Sequence, residues 1–276
     1  MGIGSLTAKH LETWLRPRLE QLPAVGHFAR SRGWPFLLVW AHRITGLVLV
    51  VYLWFHVYTL SFLTDPAAYD AKMRILRFFL FVLLEWALAV PVIFHALNGA
   101  RLILYESFGV RNDPRLIRWV LGLGTVYCLV LGVLMALGNQ NVTPALFWLG
   151  MSIGGIGLGY LVAVHIWPRA NATGWKLQRI SGAFLLIMVP AHLLFMHLQP
   201  SIGHEAAVVT ARMQSFFIKL VDLTLVLAVA FHGGYGLFSI AKDYCGPKAL
   251  HTLWAVLIFA VMAGCAWAGI TLTLRI

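Results

Sequence analysis

The chain has 276 residues, 60% of them apolar and only 11% charged, with a formal net charge of +11. A soluble domain carries about 25% charged residues, so the composition excludes an ordinary soluble enzyme and points to a polytopic membrane protein. In that class a basic excess marks the cytoplasmic loops rather than a nucleic-acid surface, and three scattered cysteines (Cys128, Cys245, Cys265) without a C-x-x-C pair form no iron–sulfur, zinc or covalent haem motif.

In chain order, residues 1–36 are mixed and charged, without the apolar run of a cleaved signal peptide. Seven apolar runs follow, near 37–63, 75–105, 116–138, 144–167, 178–198, 214–241 and 250–274. Each is long enough to cross a bilayer at roughly 20 residues per crossing. The predicted fold is all-α, a bundle of about seven transmembrane helices. Polar or proline-containing connectors separate the spans: Thr64-Asp65-Pro66, Asn112-Asp113-Pro114, Asn139 to Pro144, Trp167 to Lys176, Gln199 to Glu205 and Lys242 to Lys248. Arg16, Arg18, Arg30 and Arg32 precede the first span; Arg101, Arg111, Arg115 and Arg118 close the second; Arg169, Lys176 and Arg179 follow the fourth; Lys242 and Lys248 follow the sixth. The opposite connectors are poorer, Lys72, Arg74 and Arg77 excepted. This bias predicts a cytoplasmic N-terminus in a bacterial or archaeal inner membrane, with the C-terminus outside.

An internal repeat organises the chain. Span one opens with His42-Arg43-Ile44-Thr45-Gly46 and reaches His56 ten residues after the glycine; span five opens with Gln178-Arg179-Ile180-Ser181-Gly182 and reaches His192 at the same distance. Span two ends with Phe94-His95 and Gly99, span six with Phe231-His232 and Gly236. The offsets are 136 and 137 residues. Two motifs in one order at nearly one spacing indicate duplication. The expected organisation is an N-terminal segment (1–36), a three-helix repeat (37–138), a linking span with its loops (139–177) and a second three-helix repeat (178–276). Parallel copies need one extra crossing between them, and the glycine-rich fourth span supplies it.

The repeat places His95 and His232 toward the cytoplasmic ends of their spans and His56 and His192 toward the opposite ends, two histidines at each depth. Haem iron takes two axial imidazoles from opposite faces of a flat ring, and a helical bundle is a suitable place to hold them. A single buried histidine is as readily a helix-to-helix hydrogen bonder; four, matched in position across a repeat, predict two b-type haems. Gly46, Gly99, Gly182 and Gly236 are expected to leave room for the porphyrin. Arg43 and Arg179 either pair with haem propionates or anchor their helices at the interface. His165, His197 and His204 have no repeat partner and read as interfacial. Glu85, ten residues before His95, must be protonated, paired or wet: a proton path, a quinone pocket, or a neutral acid bonded to a neighbouring helix. Pro91 and Pro190 lie near ligands and are expected to kink their helices.

These motifs resemble the membrane anchors of the succinate dehydrogenase and fumarate reductase family, the succinate:quinone oxidoreductases. The first half, from His42-Arg43-Ile44-Thr45-Gly46 through Phe94-His95 to Gly99-Ala100-Arg101, is similar to the larger anchor subunit of the two-subunit type. The second half, through His232-Gly233-Gly234-Tyr235-Gly236, Asp243-Tyr244 and Pro247-Lys248-Ala249-Leu250, is similar to the smaller. The resemblance implies one haem on His95 and His232, a second on His56 and His192, and a quinone site at Arg43, Asp243 and Tyr244 beside His42. Tyr244 would donate a hydrogen bond to a quinone carbonyl, ubiquinone or menaquinone. Val39 stands where the family has a serine near that site, and Ala230 where some two-haem members have a glutamate. The resemblance also implies partner subunits, a flavoprotein with FAD and an iron–sulfur subunit on the basic face. The chain itself has neither cluster cysteines nor a dinucleotide-binding fingerprint, so the dicarboxylate step belongs to those partners. Two other readings remain: a haem subunit of a formate dehydrogenase or hydrogenase, and a haem-free, proton-coupled transporter with parallel repeats.

Overall fold

The computed structural model describes residues 17–138 and 140–276; the basic residue Arg16 and the connector residue Asn139 lie outside the described residues. Helix α1 (Pro23–Arg32) turns at Gly33 into α2 (Trp34–Ser61). Gly33 has a φ of +82°, a conformation that a side chain would strain. A 3-10 turn (Phe62–Thr64) leads to α3 (Pro66–Leu76), followed by α4 (Phe79–Ser107), α5 (Asp113–Leu137), α6 (Pro144–Ile166) and α7 (Thr173–Leu198). Two short helices, α8 (Pro200–His204) and α9 (Ala206–Met213), precede α10 (Phe216–Tyr244) and α11 (His251–Arg275). Seven of these, α2, α4, α5, α6, α7, α10 and α11, are long and apolar enough to cross a membrane. Proline at the first turn starts α2, α3, α5 and α6, where a missing N–H costs nothing. α4 and α7 run on through Pro91 and Pro190. The Tyr127 hydroxyl on α5 donates to the Pro190 carbonyl, tying α5 to α7 at that point.

Four helices form a closed ring: α2 packs on α4, α4 on α7, α7 on α10, and α10 back on α2. The outer helices follow one pattern. α5 leans on α4 and α7, as α11 leans on α10 and α2. α6 breaks the pattern, packing on α7 and α10 with no counterpart across the ring. Near the basic end the buried Arg101 holds Asp113 at the start of α5, with Nε to Oδ1 at 2.8 Å, and also bonds the buried Asn98.

The opposite end differs from the sequence expectation. The stretches after spans one and five are helical, not open connectors. Asp65 accepts hydrogen bonds from the amides of Ala67 and Ala68, both at 3.1 Å, and so caps α3. α3 then docks on the α8–α9 segment. The Tyr69 hydroxyl donates to the Gly203 carbonyl at 2.7 Å, and the Ala206 amide donates to Asp70 Oδ1 at 2.9 Å. Burial pushes the Tyr69 hydroxyl up to about 12, against the opposing pull of Arg212. With Phe195, Leu198, Val209 and Met213, Tyr69 and Met73 close this end of the bundle as one apolar core.

Candidate functional site

The four repeat-matched histidines fall on the four ring helices. His95 on α4 and His232 on α10 face each other across one diagonal, with ring centroids 6.3 Å apart and planes at 86°. His56 on α2 and His192 on α7 face each other across the other diagonal, 6.0 Å apart and at 90°. Gly46 and Gly182 abut the first pair. The second pair lies ten residues further along the same two helices, about 15 Å at 1.5 Å per residue.

The first pair is held in matching ways. His95 Nδ1 is 3.1 Å from the His42 carbonyl and 3.3 Å from Thr45 Oγ1. His232 Nδ1 is 3.3 Å from Ser181 Oγ, and its ring also carries a backbone hydrogen bond to Gln178. A carbonyl only accepts, so Nδ1 carries the proton and Nε2 keeps its lone pair for a ligand. Around the second pair, Tyr52 stacks beside His56 at 5.7 Å, Trp148 flanks His192 at 6.2 Å, and His192 Nδ1 has no partner among the described residues. The glycines lie against the imidazoles and their neighbours. A Cβ at Gly46 would stand 3.0 Å from His95 Cε1, and one at Gly182 3.1 Å from His232 Cε1. Gly99 and Gly236 face His42 and Gln178.

The spacing is a test of haem. Two trans imidazoles on one metal, each bonded at about 2 Å, put their ring centres about 6.3 Å apart. Both pairs match that separation. Among the described residues no group of three histidine, cysteine or carboxylate side chains is assembled. Each pair thus presents two imidazoles at a separation that one shared metal ion would fit.

At the basic end, α2 and α10 bring together residues 200 positions apart. Arg43 Nη2 donates to Asp243 Oδ2 at 2.8 Å, and Nη1 donates to the Tyr244 hydroxyl. The guanidinium also lies 4.9 Å from the Tyr244 ring centre and 5.8 Å from that of Trp40. His42 stacks on His95 at 3.9 Å with the planes 7° apart, and its buried Nδ1 has no partner among the described residues. The cluster is thus one residue from the first histidine pair. Arg179 makes the corresponding ion pair with Glu106 and lies 4.5 Å from the Trp175 ring centre. Glu106 stands 137 residues before Asp243, the offset of the repeat, and is the site residue that offset makes legible.

Glu85 Oε2 lies 3.8 Å from His197 Nε2, while His197 Nδ1 donates to the Leu193 carbonyl at 2.6 Å. His197 is therefore turned inward against α4, not left at an interface. It has no repeat counterpart, so only the fold reveals it.

The sequence profile of the succinate dehydrogenase/fumarate reductase transmembrane subunit family matches residues 23–133 and 163–271. The chain belongs to that family. It is 37% identical over 95 residues to the succinate dehydrogenase 2 membrane subunit SdhC of Mycobacterium tuberculosis, which covers 33% of this chain and 69% of that protein. No solved structure matches. The two matched stretches bracket 134–162, most of which is α6. As a transmembrane subunit of this family, the chain is the membrane part of an electron-transporting oxidoreductase.

Proposed function

We propose that this chain is the two-haem, quinone-reactive anchor of a succinate:quinone oxidoreductase, linking an iron–sulfur subunit to membrane quinone. The observation that carries the reading is the pair of facing histidines on each diagonal, at 6.3 and 6.0 Å. His95 and His232 would hold one haem b, His56 and His192 the other. A haem iron so bound gains and loses one electron. The remaining chemistry belongs to the chain. Thr45, Ser181 and the two backbone carbonyls fix the first pair of imidazoles in one tautomer. His42 Nδ1 and Arg179 are the donors available to propionates at that level.

At the quinone site Tyr244 Oη donates a hydrogen bond to a quinone carbonyl. The Arg43 guanidinium favours negative charge developing on that oxygen, in a wall of aromatic rings where charge is poorly screened. Asp243 fixes Arg43 and offsets its charge when the site is empty. Glu85 and His197 form a carboxylate–imidazole pair beside the second haem, placed to handle a proton there. Succinate or fumarate chemistry and its FAD lie on a partner flavoprotein. The iron–sulfur subunit docks on the basic, cytoplasmic end. Two three-helix repeats, 37–138 and 178–276, joined through 139–177, account for the two matched stretches. Family membership disfavours a formate dehydrogenase or hydrogenase subunit, and a transporter has no use for paired imidazoles at metal spacing.

The test separates quinone chemistry from everything before it. In the assembled complex, Tyr244→Phe and Arg43→Gln should cut succinate-to-quinone turnover while succinate-to-dye turnover and haem content stay at wild-type levels. Unchanged quinone turnover in both variants would refute the site.

A further inference from the structure

The closed ring has two like seams at its basic end. At one, α2 meets α10 and Arg43 pairs with Asp243; at the other, α7 meets α4 and Arg179 pairs with Glu106. One turn above each arginine stand Leu47 and Ala183, again 136 residues apart. Tyr244 in the first seam corresponds to Ser107 in the second. The ion pairs are open at both seams, at 28% and 52% for Arg43 and Asp243 against 20% and 36% for Arg179 and Glu106, but the residues beside them are not. Leu47 is 41% exposed and Tyr244 50%, whereas Ala183 is 2% exposed and Ser107 0%.

The cover is α6. Its Val162 and Ile166 pack with Ile103 and Ala183 into one apolar cluster over the second seam. At its end His165 stacks on Phe108 at 4.1 Å, planes 7° apart, and its Nε2 lies 2.8 Å from both the Ser107 carbonyl and Arg169 Nη2. The Ser107 hydroxyl is left buried with no partner among the described residues, at the place where the other seam presents Tyr244. At the α2–α10 seam α11 packs on both helices, yet it leaves Leu47 and Tyr244 exposed.

We infer that α6 seals the symmetry-related copy of the quinone site, leaving the α2–α10 seam, over Leu47 and Tyr244, as the lateral entrance for a quinone from the bilayer. A quinone carries its headgroup on an apolar tail, so it reaches an interfacial arginine by sliding between helices at the headgroup level. Only one of the two arginine–carboxylate pairs has such a slot. α6 thus converts a duplicated bundle into a one-sided enzyme subunit. This inference rests on the reading of Arg43, Asp243 and Tyr244 as the quinone site.

The assembled complex is the material for the test. In one arm, Leu47→Trp fills the open slot at a lipid-facing position, and Val133→Trp on α5 is the control. Leu47→Trp should raise the KM for quinone several-fold with haem content and succinate-to-dye turnover unchanged; the control should change none of these. In the other arm, wild-type complex is photolabelled with an azidoquinone, which needs no variant to fold. Label confined to the peptides carrying Trp40 and Tyr244 supports one-sided entry. Label on both those and the peptides carrying Glu106 and Trp175 overturns the seal while keeping the quinone site. Label absent from the Trp40 and Tyr244 peptides overturns the quinone-site reading itself.

Discussion

Replacing Gly46 by alanine would press a methyl group against the imidazole of His95. The new Cβ would lie 3.0 Å from His95 Cε1, where ordinary contact begins at 3.4 Å. The ring must therefore yield by about 0.4 Å, and an interior that is close-packed gives way only partly. It has little room to do so. His42 is stacked on its far face at 3.9 Å, and the His42 carbonyl and Thr45 hydroxyl hold Nδ1 at 3.1 and 3.3 Å. Overpacking of this kind costs about 1–3 kcal/mol, which corresponds to a roughly 5- to 150-fold weaker hold on whatever the imidazole ligates. The second pair lies ten residues further along α2, out of reach of the added methyl. The assay is haem per chain by pyridine haemochrome, together with the low-spin ferric EPR signals of the purified complex. Perpendicular imidazoles, as in both pairs, give a highly anisotropic signal. Gly46→Ala should weaken or abolish one such signal and take the haem content toward about one per chain; Gly182→Ala should do the same through His232. Full haem content with both signals unshifted would refute the assignment of His95 to the first pair.

Other outcomes follow from the same geometry. His56→Ala or His192→Ala should remove one haem and leave the spectrum of the other in place; equal loss of both would show that the diagonal pairing is wrong. Arg101→Met leaves Asp113 without its cation and the buried Asn98 Oδ1 without its donor and should cost about 3–5 kcal/mol, read as a large fall in thermal stability with no specific effect on quinone kinetics. Tyr69→Phe leaves the Gly203 carbonyl without its donor and should cost about 1–3 kcal/mol. Its pH dependence is distinctive. Burial holds the folded Tyr69 protonated to about 12, against 10 in the unfolded chain. Between those values the folded state binds a proton that the unfolded state has lost, so wild-type stability falls as pH rises from 10 to 12. The Phe variant should lack this component of the slope in alkaline thermal denaturation.

The membrane helices are legible in the sequence because each is a long apolar run, and their ends differ from the expectation by a few residues at most elements. The cap is not legible by that criterion. α3, α8 and α9 are too short and mixed to register as spans, although Asp65-Pro66 is a helix-start signature of its own. The histidine constellation is legible because duplication writes each histidine twice. The same offset exposes Glu106 as the partner of Arg179. What the repeat cannot expose is anything made once. His197 meets Glu85 only because α7 and α4 are neighbours in the ring. The covering of Ser107 and Ala183 by α6 depends on the one helix with no counterpart. Arg43, Asp243 and Tyr244 are grouped by the family resemblance alone, since they meet only where the ring closes between α10 and α2, a contact no local pattern encodes.

The most direct test of the account is the haem stoichiometry of the purified, wild-type protein, from a dithionite-reduced minus oxidised spectrum and the pyridine haemochrome. Two haems b per chain are predicted, one for each facing pair of histidines. One haem would leave a single pair in service and remove the role given to His56 and His192; none in a folded sample would contradict the account as a whole.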